Sequence, residues 1–165
     1  MERFAEIVDA LNTRLALAIR WLALAMVLIQ FAIVVVRYAF GYNSIAAQES
    51  VLYLHATLFM LGAGYTLLLD KHVRVDVFYA RLSDAARRRV DIFGHLFFLL
   101  PSMAALFYWS WTSVANSWAI LEGPISVGGL KAVFLMKSLI PLFCALLILQ
   151  SLATLTRLLL TERRA

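Results

Sequence analysis

Few residues in this chain are equipped for chemistry, and their spacing decides what that chemistry is. Three histidines, His55, His72 and His95, invite a haem held between two imidazoles. Such a haem needs its ligands level across a helical bundle. His55 stands a few residues inside one end of an apolar stretch, and His95 a few residues inside the opposite end of the next. At 1.5 Å of rise per residue the two are about 15–20 Å apart in depth, too far for one iron. His72 lies in a polar connection, so no haem or other cofactor is expected in this chain alone. The single cysteine, Cys144, offers no disulfide, paired thiol ligand or redox motif and reads as a small apolar filler. The sequence holds no GxxxxGK[ST] phosphate loop, no HExxH pair and no paired carboxylates inside an apolar stretch. Hydrolysis of nucleotides or metal-assisted hydrolysis has no residues to run on, and no enzyme activity is expected.

The remaining charges sit at the edges. Lys137 is the deepest, roughly two turns inside the last apolar stretch, where a charge at the bilayer centre would cost about 2.5–3.5 kcal/mol. It is expected to snorkel outward or, as the next choice, to pair with Glu122 or Glu49. Glu49 sits beside Gln48 at the mouth of the second stretch, and Arg37 closes the first. The run Asp70-Lys71-His72-Val73-Arg74-Val75-Asp76 is a polar turn in which His72, Arg74 and Asp76 tether a helix end to headgroups or a partner. One imidazole and one carboxylate there make a poor metal site. Glu122-Gly123-Pro124-Ile125-Ser126-Val127-Gly128-Gly129 is rich in turn formers and serves either as a connector or as a docking surface.

The elements that position these residues are four long apolar stretches, Trp21–Val36, Val51–Leu69, Ile92–Ala115 and Ala132–Thr156. Each approaches the roughly 17–25 residues a helix needs to cross hydrocarbon, and none alternates as a membrane β-strand does. With 63 % of its residues hydrophobic, against about 45–50 % in soluble domains, the chain is expected to be an all-α membrane protein. It forms one integral domain over 1–165, with four transmembrane helices at about 19–38, 49–69, 91–115 and 132–157. Pro101 and Pro141 are expected to kink the third and fourth helices, and Gly62, Ala63 and Gly64 make a thin stretch where another backbone can approach. Ser83-Asp84 reads as a helix N-cap. Trp21, Tyr38 and Tyr42, and the group from Phe107 to Trp118, suit interfacial aromatic belts.

Orientation follows from the basic residues. Arg3, Arg14 and Arg20 precede the first span, Lys71, Arg74, Arg81, Arg87, Arg88 and Arg89 fill the middle connection, and Arg157, Arg163 and Arg164 follow the last span. The other two connections hold only Arg37 and Lys131. Both termini and the middle loop are therefore expected in the cytoplasm, and the net charge of +5 is a topology and headgroup signal, with no nucleic-acid partner implied. Glu2, Glu6 and Asp9 argue against a cleavable signal peptide. Residues 1–18 instead place Phe4, Ile7, Val8, Leu11 and Leu15 at helical spacing, an amphipathic helix expected in the cytoplasmic interface or against a partner.

Arg37-Tyr38-Ala39-Phe40-Gly41 closing the first span, Gln48-Glu49 opening the second, Gly62-Ala63 within it and His72-Val73-Arg74-Val75-Asp76 after it resemble the small membrane subunit of TRAP (tripartite ATP-independent periplasmic) transporters. Gly128-Gly129, Lys137, Pro141 and Gln150 extend the resemblance, which covers about residues 15–160. Gln48 stands where many members carry a second acidic residue. The resemblance implies a scaffold subunit in the bacterial inner membrane. Its partners would be a large multi-spanning subunit that holds the substrate and cation sites, and a periplasmic solute-binding protein that captures an organic acid. It also implies a sodium or proton gradient in place of ATP, and makes Arg37, Tyr38, Gly41, Glu49, Gly62, His72, Arg74, Asp76, Glu122, Lys137 and Gln150 candidates for partner contacts. The competing class is the membrane anchor of a respiratory complex, which would carry haem or quinone.

Overall fold

The computed structural model describes residues 2–71, 79, 82–124 and 126–162. Among them there is no strand, and four helices are long and apolar enough to cross a membrane. They are α1 (Glu2–Phe40), α2 (Ile45–Leu68), α3 (Asp84–Ala119) and α4 (Val133–Glu162). The short connections 41–44 and 120–132 lie at one end, called the loop end. The start of α1, the end of α2, the start of α3 and the end of α4 lie at the other, the terminal end. Only 6–28 % of each helix's most apolar window is buried within the chain, so lipid or protein partners must cover the rest of its flanks.

The amphipathic helix expected over 1–18 runs without a break into the first span. Residues 2–40 form one unbroken helix of 39 residues, about 58 Å long at 1.5 Å per residue. Nor is its packed side the one carrying Phe4, Ile7 and Leu11, which are exposed. Ala5, Val8, Asn12, Leu15, Ile19, Leu22, Met26, Ile29, Ile33 and Val36 recur at alternating spacings of three and four, and none is exposed. This single heptad stripe runs the whole length of α1, the pattern suited to a shallow left-handed crossing. Its first part meets Ala153 and Leu149 of α4. Its middle meets Leu58 and Leu61 of α2 and Leu139 and Leu146 of α4. The physical reason is that α4 extends far enough to offer small and polar partners where a free amphipathic helix would otherwise have needed the membrane surface.

Each end is capped as its residues suggest. Ser44 and Ser83 accept backbone hydrogen bonds from Ala47 and Ala86 at 3.3 and 3.4 Å, opening α2 and α3. Gly41 closes α1 in the left-handed region (φ +66), its N–H donating to the Arg37 carbonyl at 3.0 Å; a side chain would strain that position. Pro141 lies inside α4 without ending it. Just before Pro101, where a kink is expected, the third helix widens into a π-helical stretch over Gly94–Leu99. Proline has no N–H and its ring crowds the carbonyl four residues back, which the wider turn accommodates. The Ser102 hydroxyl then donates to the carbonyls of Phe98 and Leu99 at 2.6 and 3.1 Å.

Candidate functional site

At the loop end, three helices converge on a polar brace. Glu49, in the second turn of α2, accepts a hydrogen bond from the Leu130 backbone N–H at 2.6 Å. Gly129 lies hard against it: a Cβ there would sit 2.6 Å from both carboxylate oxygens and 2.7 Å from the Pro124 Cβ. Only glycine lets the chain pass. On the other side of the connection, Glu122 accepts from the Ser117 hydroxyl at 2.6 Å and from the Lys137 ammonium at 2.5 Å. Trp118 donates its indole N–H to Ser138 at 2.7 Å and sets its ring edge-on to Phe134. The connection is thus bound to α2, α3 and α4 at once, with Val127 at its tip 95 % exposed.

Lys137, expected first to snorkel, is paired, and with Glu122 rather than Glu49. Its amine, followed by the Ser117 hydroxyl, holds the Glu122 carboxyl below the usual carboxylate range. A lowered folded-state value means the pair's contribution is complete at neutral pH and is lost only as the pH falls through that lowered value. Arg37 and Tyr38 are exposed on the last turn of α1. Glu49 makes no ion pair with Arg37; its carboxylate faces the connection. Gln48 donates to Asn43 at 2.7 Å.

At the terminal end a second polar cluster ties α1 to α4. Asn12 donates to Gln150 at 2.7 Å, Gln150 donates to Asp9 at 3.0 Å, and Arg157 pairs with Asp9. Asn12 and Gln150 are fully buried. The Asn12 Oδ1 has no donor among the described residues and points at Gly64 of α2, where a Cβ would come within 2.3 Å of it. Gly62, singled out with it, is under no such pressure: a Cβ there would meet only the Ile19 Cδ1 at 3.7 Å. The third helix is tied to α4 through His95, whose Nδ1 lies 2.8 Å from the hydroxyl of buried Ser151, the residue after Gln150. Sequence reasoning missed Asp9, Asn12, His95 and Ser151 as helix-to-helix contacts. The available signal was a polar residue on the heptad stripe of α1 and an adjacent Gln-Ser pair inside an apolar span.

His72, Arg74 and Asp76 lie outside the described residues. His55 and His95 do not share a site: His55 is exposed on α2 and stacks on Phe59, whereas His95 is buried against α4. Among the described residues no three of His, Cys, Asp and Glu gather as metal ligands. The chemistry of both clusters is mechanical, in that carboxylates, amides and one ammonium fix helices and a connection in place.

Comparison with protein families matches residues 26–161 to the family described as "Tripartite ATP-independent periplasmic transporters, DctQ component". The match takes in α2 and α3 whole, the part of α1 from residue 26 onward, all but the last residue of α4, and the entire loop-end brace. A search of curated proteins gives no significant match.

Proposed function

Because this chain belongs to the DctQ component family of tripartite ATP-independent periplasmic transporters, we propose that it is the static scaffold subunit of an importer driven by a sodium or proton gradient. In this reading a large multi-spanning subunit moves an organic acid, and a periplasmic solute-binding protein delivers it. The observation that carries the scaffold role is how the buried polar groups are spent. Asn12, Gln150, His95 and Ser151 are each engaged with another helix of this chain, whereas a transport site needs polar groups at the midplane turned toward a substrate or ion. The basic residues of the termini and of the middle connection support an inner-membrane orientation with both termini cytoplasmic. With cysteine at Ser126 or Ser83, an impermeant thiol reagent applied outside the cell should label only the Ser126 variant. Labelling at Ser83 would reverse the orientation.

The loop-end brace supports a docking role for the 122–130 connection, with Glu49 as the residue that shapes it. Uptake into liposomes should require this chain, the large subunit, the binding protein and an ion gradient together. Glu49→Lys removes the acceptor for Leu130 and crowds Gly129. It should lower uptake several-fold at limiting binding protein and restore it at saturating amounts, as expected when a rim contact controls association. Full uptake without this chain would sink the scaffold reading. Uptake by Glu49→Lys equal to wild type at every binding-protein concentration would remove the docking role.

A further inference from the structure

Resting on the reading of this chain as a small subunit beside a larger one, we infer that the large subunit docks on the face of α1 that carries Gln30. The stripe of α1 that packs within the chain is accompanied, one residue further round, by Arg20, Ala23, Val27, Gln30, Val34 and Arg37, again at spacings of three and four. All six are exposed. By helical rise Gln30 stands about 15 Å from Arg20 and about 10 Å from Arg37, which places its amide well inside the hydrocarbon. It has no hydrogen-bond partner among the described residues.

A primary amide carries two N–H donors and a carbonyl acceptor. Acyl chains satisfy none of them, so a lipid-facing position at this depth leaves the group dehydrated and unpaired. The same helix shows what a lipid face looks like: Trp21, Leu24, Leu28 and Phe31 are large, apolar and exposed. The Gln30 stripe carries Ala23 and the apolar but shorter Val27 and Val34, which let another helix approach more closely than leucine, phenylalanine or tryptophan would.

The occupant is a transmembrane helix of the large subunit that offers a hydrogen-bonding group level with Gln30. A second copy of this chain fits poorly. Two copies in one membrane run parallel, and a symmetric contact through this stripe sets Arg20 against Arg20 and Arg37 against Arg37. Like charges at both ends oppose that pairing.

Two measurements on the assembled transporter in its native membrane test the assignment. The photoreactive residue benzoylphenylalanine at Val27 or Val34 should give an adduct with a large membrane protein, and at Leu24 or Leu28 should not. Gln30→Leu should lower the large subunit recovered per small subunit by about three- to tenfold in mild detergent, the range expected for one interhelical hydrogen bond in a membrane, with the amount of small subunit in the membrane unchanged. On a lipid face the same substitution would leave recovery unchanged or raise it. Unchanged or raised recovery overturns the proposal. So do adducts confined to Leu24 or Leu28, adducts between two copies of this chain, and no adduct at all while the large subunit is still recovered. If no large membrane protein accompanies the wild-type chain, the scaffold reading fails instead.

Discussion

Replacing Gly64 by valine is expected to destabilise the membrane domain by about 1–3 kcal/mol, the usual cost of overpacking an interior. The new Cβ would fall 2.3 Å from the Asn12 Oδ1. Asn12 is not free to swing aside: it is buried, and its amide nitrogen is committed to Gln150. Either α2 moves off α1 or the Asn12–Gln150 bond breaks. In detergent the melting midpoint should fall by about 3–10 °C, taking roughly 2–4 °C per kcal/mol for a chain of this size. Gly62→Ala, whose Cβ meets Ile19 at an ordinary 3.7 Å, should shift it by little. Shortening the opposing side chain with Asn12→Ala should recover part of the Gly64→Val loss, since residues in contact couple. A Gly64→Val protein that melts with wild type would show that α1 and α2 are not held at this spacing at the terminal end.

Gln150→Leu should cost about 2–4 kcal/mol, because it leaves two groups without the bonds that offset their burial. Among the described residues, Asn12 would lose its only acceptor and Asp9 would keep Arg157 alone. Leucine fills much the same volume, so the loss would report hydrogen bonding rather than a cavity. Gln150→Glu separates the two contacts. It retains an acceptor for Asn12 but sets a second carboxylate against Asp9, and it should fall between wild type and Gln150→Leu at neutral pH. Protease release of the first residues of α1, read alongside the melting midpoint, should follow the same order. Equal stability of all three proteins would mean that the N-terminal part of α1 is held by its apolar contacts alone.

Both variants act on a cluster that the sequence discloses only in part. The four spans are legible because each needs a long apolar run, and Ser83 as a cap and Gly62–Gly64 as a thin stretch follow from local rules. Gln150 stands out as an amide in an apolar span. Its partners do not, because Asn12 and Asp9 lie 138 and 141 residues away, and the heptad stripe that delivers them competes with the more conspicuous Phe4–Ile7–Leu11 spacing. At the loop end, the choice of Glu122 over Glu49 as the partner of Lys137 depends on how the 120–132 connection folds back. That connection holds two left-handed positions, Leu121 and Gly128, and a non-glycine residue at positive φ has no dependable sequence signature. The π-helical stretch was hidden for a related reason: proline predicts a disturbance but not its form.

That stretch has a consequence for where this chain can change length. The residues of α3 that face inward proceed from His95 to Leu99, Met103 and Phe107, then to Ser110, Val114 and Ser117. Three successive steps of four stand where a regular heptad alternates four with three, so the helix carries one residue more than its partner surface requires. The surplus is absorbed locally, and His95 at one end and Ser117 at the other remain on the side of α4. A deletion of one residue between 96 and 102 would convert the wide turn to an ordinary one and leave both halves in phase. The same deletion in the middle of α4 would rotate half of that helix by about 100° and carry Gln150 and Ser151 away from their partners. Length variation in this fold is therefore geometrically cheap at one place in the third span and disruptive in the fourth.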